Sequence, residues 1–463
     1  VHRHGRRRLG VVGVAGVVLA LLPAAPAVAA VPKPVTSWRS PPLDGIIQGR
    51  PAIVGGTVVV ATEHDSLYGL SLRDGHVVWG PRHVGDPVPH AVIAELSPSA
   101  TQCGNIDPLG ITSSLAVDAG TSPPRVFAVA EVLPPTGRTP VHELVGVEAT
   151  SGRVVVGPTP IDPPAMTHPE VEQQRAGLTV ANGNIYVGFG GLYSDCGDFH
   201  GFVVAAKEDG SGLAGAVELG GASSGNRGAG VWATAPPPVD RDGTVLVATG
   251  NGIGSPPPPA TDHSDAVLRL PATLGAVADE FQSPTFQSDN PDDLDLGSTA
   301  PVLVGDGQVF ELGKPHHAYL LAGGSLGGAD RHTPLAELDA CDAYGSNDVL
   351  GPSVFVACRD GTEQIVIDRS TSPPRLRKGW TAPVSTDGPV VVGAGLVWAV
   401  DTSSGVLYGL DPATGRVVAK HPVGLDSSQH FPTASVGGGW VLVEAANRVA
   451  AFRVVTTPPR RKA

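Results

Sequence analysis

Leu407-Tyr408-Gly409-Leu410-Asp411-Pro412-Ala413-Thr414-Gly415 decides the fold, because part of it returns near the other end of the chain as Leu67-Tyr68-Gly69-Leu70 followed by Asp74-Gly75. The flanks repeat as well. Gly55-Gly56-Thr57-Val58-Val59-Val60 precedes one copy and Gly393-Ala394-Gly395-Leu396-Val397-Trp398 the other, while Val77-Val78-Trp79 and Val417-Val418 follow them. Each piece has a mechanical reading: a Gly-led turn, an apolar strand, a second turn, an alternating strand, then a tight Asp/Thr-Gly turn into a further strand. Such a unit is one blade of antiparallel sheet.

Weaker copies run from Arg125 to Val156, Ala181 to Leu219, Asp242 to Leu270, Ala300 to Leu321 and Val349 to Trp380, and a last one, Val436 to Val455, lacks a closing strand. Together these give about eight units of the size that four-stranded propeller blades require. Val35-Thr36-Ser37-Trp38 resembles the strand containing Trp79, so the N-terminal strand is expected to complete the last blade and protect its edge. The expected fold is therefore all-β, a single propeller over residues 31–455. A string of β-sandwiches is the alternative.

Composition agrees. The 463 residues include 61 Gly and 45 Pro but one Met, and only 16% are charged, a balance that favours short strands and tight turns over long helices. The Pro/Gly/Ser-rich stretches at 121–124 and 255–261 read as surface loops.

Residues 1–30 read as an export signal: Arg3, Arg6, Arg7 and Arg8, an apolar run from Leu9 to Leu22, and the small residues Ala27-Val28-Ala29. An uncleaved anchor is the alternative, but Pro23 and Pro26 cut the apolar run short for a span. No later segment reads as a membrane span, and residues 456–463 form a basic flexible tail. Cleavage would remove four of the 31 basic residues and none of the 44 acidic ones, lowering the formal charge from -13 to -17. An acidic, secreted or extracytoplasmic chain disfavours nucleic acid and anionic membrane as partners.

Four cysteines in an exported chain suggest two disulfides, and of the three connectivities Cys103–Cys196 with Cys341–Cys358 is favoured, since Cys341 and Cys358 flank one strand-turn-strand unit. Cys103–Cys196 would then cross-link neighbouring repeats. There is no haem attachment motif and no zinc-type spacing.

The 407–415 repeat resembles the propeller repeat of pyrroloquinoline quinone (PQQ) dependent alcohol dehydrogenases, and the resemblance runs in order over most of the mature chain. Its most specific stretch is Gly230-Val231-Trp232 followed by Gly243-Thr244-Val245-Leu246-Val247-Ala248-Thr249-Gly250-Asn251-Gly252. The resemblance implies Trp232 as the floor under the quinone and Asn251 as a calcium ligand. Asn290-Pro291-Asp292-Asp293-Leu294-Asp295 resembles the segment carrying the catalytic aspartate, which makes Asp295 the implied base and a further calcium ligand; Gly313-Lys314 resembles the place where a lysine contacts the quinone. In such chemistry a cation polarises the quinone, a carboxylate takes the hydroxyl proton, and hydride passes to the cofactor.

The sequence also departs from that pattern. Cys196 stands where a calcium-ligating glutamate is expected, with Asp195 and Asp198 beside it as substitutes; the family's adjacent cysteine pair is represented by Cys103-Gly104, and the indole often preceding the catalytic aspartate is Leu294. Each match has an ordinary reading too. Trp232 can pack between blades, Asn251 can serve a left-handed turn, Asp292, Asp293 and Asp295 can form a solvated acidic loop, and Lys314 beside Pro315 can be a turn lysine. Gly221-Ala222-Ser223-Ser224-Gly225 satisfies G-x-S-x-G without a strand-to-helix elbow, and His316-His317 and His200 lack a third metal ligand.

Two functions follow. The first is a non-catalytic exported propeller that binds a protein, glycan or small molecule on its top face or in its central funnel, with no resident cofactor. The second is a divergent PQQ- and calcium-dependent dehydrogenase oxidising an alcohol or sugar hydroxyl.

Overall fold

A computed structural model describes residues 33–220, 227–254 and 262–455. The expected export signal at 1–30, the G-x-S-x-G stretch, the Pro-rich loop at 255–261 and the basic tail at 456–463 lie outside the described residues.

Eight blades surround one axis. Blade 1 is Ala52–Val54, Thr57–Thr62, Ser66–Ser71 and Val77–His83, and blade 2 is Ala116–Asp118, Arg125–Val132, Val141–Glu148 and Val154–Pro160. Blade 3 is Thr179–Ala181, Asn184–Gly191, Phe202–Lys207 and Leu213–Glu218. In blade 4, Val245–Ala248, Ala266–Leu270 and Asp279–Gln282 are strands, and the innermost position is reduced to a bridge between Val239 and Val245. Blade 5 is Val302–Val304, Gln308–Leu312, His317–Leu321 and Ala336–Asp339; blade 6 is Asp348–Leu350, Ser353–Cys358, Gly361–Asp368 and Arg375–Ala382. Blade 7 is Val391–Gly393, Leu396–Asp401, Val406–Leu410 and Val417–Pro422. Blade 8 takes Ser435–Gly437, Trp440–Ala445 and Arg448–Val455 from the C-terminal end, and Lys33–Arg39 supplies its outer strand.

Closure follows the expectation from Trp38, which pairs with Ala451 across the junction. Side chains reinforce the backbone ladder there: Arg448 donates to the Ser40 carbonyl at 2.8 Å and Asn447 to the Leu43 carbonyl at 3.1 Å.

The register near the axis is the same in every blade. The middle residue of each innermost strand pairs with an aliphatic residue of the next strand: Ile53 with Val58, Val117 with Val126, Val180 with Ile185, Val239 with Val245, Leu303 with Val309, Val349 with Val354, Val392 with Val397 and Val436 with Val441. β-branched pairs suit a crowded, half-buried sheet edge. The core fills the wedges between blades, with Trp398, Tyr186, Tyr319 and Phe127 fully buried.

The Asp/Thr-Gly turns that made the repeat visible have a packing role. The Trp79 indole of blade 1 donates to the Ala149 carbonyl at 3.0 Å and lies against Gly152 in the corresponding turn of blade 2. Trp38 bonds the Leu72 carbonyl at 3.1 Å and covers Gly75, and Trp380 bonds the Pro412 carbonyl at 3.0 Å and covers Gly415. Each outer-strand tryptophan thus docks on the next blade's turn. Blade-to-blade adhesion at these three junctions depends on a residue without a Cβ.

Both disulfides adopt the favoured connectivity. Cys341–Cys358 joins the link into blade 6 to the end of its second strand, and Cys103–Cys196 ties the segment between blades 1 and 2 to a loop of blade 3. This pairing fits a location outside the reducing cytoplasm. Among the described residues, no helix is long and apolar enough to cross a membrane.

Gly152 and Gly183 both have positive φ, +65° and +73°, but a Cβ on Gly152 would clash with the Trp79 ring while one on Gly183 meets nothing within 4 Å. Gly183→Ala should cost only the backbone penalty, about 1–2 kcal/mol, whereas Gly152→Ala should cost about 1–3 kcal/mol more. Denaturant unfolding of the two variants measures the difference; equal losses would refute the docking role.

Candidate functional site

One end of the ring carries both the links into the innermost strands and the hairpins joining second to third strands. A cavity of about 260 Å³ opens there. It adjoins a smaller cavity through the shared residues Arg175, Thr234 and Phe431, and that one leads through Ser114, Thr234 and Thr433 to a third of about 300 Å³ among the innermost strands.

The repeat explains how distant residues meet here. Counting five residues back from the middle residue of each innermost strand, Val239 in blade 4, gives Gln48, Thr112, Arg175, Thr234, Ser298, Tyr344, Asp387 and Phe431. All but Asp387 line the two upper cavities. The eight links therefore form a collar around the axis, and Arg175 is its one cation.

Trp232 lies in the link into blade 4, on a bed of glycines: a Cβ on Gly190, Gly230 or Gly250 would come within 3.0 Å of the indole. Phe199 meets it edge-on at 5.5 Å, and the Arg175 guanidinium carbon is 5.8 Å from its ring centre. Its indole nitrogen is buried without a partner. Trp232 packs on blade backbone and also lines the cavity.

Asn251 follows the second strand of blade 4. It does not take the left-handed conformation. Its backbone N–H donates to Asp295 Oδ1 at 2.8 Å, and its side-chain Oδ1 is buried and unpartnered. Asp295 is 5% exposed, whereas Asp292 and Asp293 are exposed, so the acidic loop is solvated only in part. Lys314, in the hairpin turn of blade 5, donates to Asp295 Oδ2 at 2.6 Å and lies 3.2 Å from Asp293 Oδ2. Burial alone would lower the Lys314 pKa, but the charges of Asp295 and Asp293 raise it above the ordinary lysine range. Turn position and inward role coincide in this lysine.

The loop around Cys196 supplies Asp195, whose carboxyl lines the cavity. Arg227 holds this loop, donating to the Asp195 and Gly197 carbonyls at 3.0 and 2.7 Å, and the disulfide anchors Cys196 to Cys103. Burial, then repulsion from Asp295 and Asp293, pushes the Asp195 pKa up to about 7. Asp198 is exposed, and neither it nor His200, His316 or His317 lines the cavity.

Arg175, Tyr344, Arg359 and Phe431 line the cavity without having been found in the sequence motifs. Their common signal, for all but Arg359, is the collar position. Burial lowers the Arg175 pKa to about 10 against the opposing effect of Asp195 and Asp295.

No family model and no curated protein matches the chain. Solved structures do share its fold. BamB from Moraxella catarrhalis is similar at 13% identity and a TM-score of 0.57, over 91% of this chain and 100% of that one. The quinohemoprotein alcohol dehydrogenase from Comamonas testosteroni is similar at 13% identity and a TM-score of 0.59, over 92% and 77%, and a europium-containing methanol dehydrogenase at 14% and 0.58, over 89% and 84%. These likenesses establish the propeller.

Because the Asp195 pKa is raised from 3.8 to about 7, its ionisation costs native stability: the contribution is complete below about pH 4 and is lost as pH rises through about 7. Tryptophan emission should show a transition near pH 7 that is absent in Asp195→Asn, and that variant should gain stability at pH 8 relative to pH 4. An unchanged transition would assign it to another group.

Proposed function

We propose that this chain is an exported binding propeller whose receptor site is the axial cavity at the link-and-hairpin end, taking a small molecule without oxidising it. The observation that carries this reading is the buried ion pair of Lys314 Nζ and Asp295 Oδ2 at 2.6 Å. A general base must come within hydrogen-bond reach of the proton it takes, and partners already bound at its oxygens compete for that place. Here one oxygen of Asp295 accepts from Asn251 N–H and the other from an ammonium.

The donor chemistry also disfavours a resident calcium ion. Calcium needs several oxygen ligands. The position expected to supply a glutamate is a disulfide sulfur, Asp295 is already paired with a cation, and the oxygens left are Asn251 Oδ1 and the carboxyl of the substitute Asp195, which burial and Asp295 push toward the neutral form. The set does not fit calcium. The space by the Trp232 ring, which the resemblance gives to the quinone, is shared with the Arg175 guanidinium.

A second reading, the PQQ- and calcium-dependent dehydrogenase, is favoured by one observation: Trp232, Asp195, Asp295 and Lys314 do converge on a single cavity. Fold alone does not choose between binding and catalysis.

Titrating the purified protein with PQQ and calcium, while following quinone absorbance and reduction of an artificial electron acceptor by a panel of alcohols, should give no turnover. Turnover that disappears in Asp295→Ala would overturn the binding reading in favour of the second.

A further inference from the structure

One cation in the cavity is uncommitted. Among the described residues, Arg175 makes no ion pair and its guanidinium donates no hydrogen bond; its Nε is buried without a partner. An N–H of a charged group held out of water without an acceptor is costly, more so than a neutral donor. Its geometry is nevertheless fixed. Phe431, from the link into blade 8, lies with its ring centre 4.5 Å from the guanidinium carbon, and Trp232 lies 5.8 Å away. Aromatic neighbours hold a guanidinium through its faces and leave the planar fork of N–H groups for an in-plane acceptor.

We infer that the cavity is a receptor for the carboxylate of a small organic acid, with Arg175 as the group that receives it. The inference rests on the binding reading above and names the ligand class.

Shape and charge select this class. A carboxylate is planar and matches the arginine fork with two parallel hydrogen bonds. Charge count disfavours a dianion such as phosphate, because Asp195, Asp293 and Asp295 share the cavity with Arg175, Lys314 is already bound to two of them, and Arg359 is paired with Asp342 at 3.6 Å. One uncommitted cation matches one negative charge. The aromatic walls, Trp232 and Phe431 together with the exposed Tyr193 at the mouth, suit an apolar or aromatic body attached to that carboxylate.

The test is calorimetric titration of the full protein with benzoate, 4-hydroxybenzoate and acetate, each beside its neutral amide. Saturable binding of at least one aromatic carboxylate is expected, with its amide weaker by about tenfold or more. Arg175→Gln should weaken the carboxylate by about the same factor and its amide by much less. Should Arg175→Gln fail to fold, Arg175→Lys, which keeps the charge and loses the fork, should also weaken the carboxylate. Carboxylate binding that survives either arginine substitution undiminished, or amide binding as tight as the acid, overturns the inference while leaving the cavity as a binding site. Absence of saturable binding by every carboxylate overturns it as well, and quinone-dependent turnover would overturn the binding reading itself.

Discussion

Crowding at the axis is the constraint on which the rest depends. Innermost strands of successive blades touch one another around the ring, so each can be only about three residues long and must present compact aliphatic side chains. The same register recurs in all eight blades, including blade 4, where the strand has shrunk to a single bridge. A register slip of one residue would exchange the two faces of a strand. Because the register is invariant, the residue five before that middle position recurs at this end of the ring, and in seven of the eight blades it lines the two upper cavities. The collar is thus a place where eight side chains vary freely on a fixed frame.

The electrostatics at that end of the ring follow from burial more than from net charge. Glu63, Glu131 and Glu444, at or near the ends of second strands, have pKa values raised by burial to about 7, 8 and 8, and Glu311 is also raised well above the ordinary range. Near neutral pH several of these groups hold protons, so the formal charge of -13 overstates the negative charge the folded chain carries. Within the cavity, Asp295 and Lys314 neutralise each other. Arg175 and Asp195 are left as the groups able to respond to a ligand or to pH.

Much of the architecture was legible in the sequence because turn chemistry is local. Asp411 accepts from the backbone N–H groups of Ala413 and Thr414, and Gly415 supplies the positive φ that ends the turn, so the motif announces itself without tertiary context. The last strands of blades 4 and 5, Asp279–Gln282 and Ala336–Asp339, lay beyond the repeats seen in the sequence, because they carry no such motif and only pairing defines them. The site was partly legible. Trp232, Asp295 and Lys314 converge on one cavity, but Arg175 sits in an undistinguished Gln-Gln-Arg-Ala stretch, and its neighbour Phe431 is more than 250 residues away. Only ring geometry joins them.

The closing strand sets an order on assembly. Lys33–Arg39 is made before the other strands of the ring, yet its partner Arg448–Val455 is made after them, with almost the whole ring between the two. Until that pairing forms, blade 8 has an open outer edge and Trp38 has no finished sheet to carry it onto the turn at Gly75. A ribosome that stops short of Val455 therefore releases a chain with two sticky β edges at opposite ends of the sequence. Completion of the circle doubles as an inspection that all eight blades have been made.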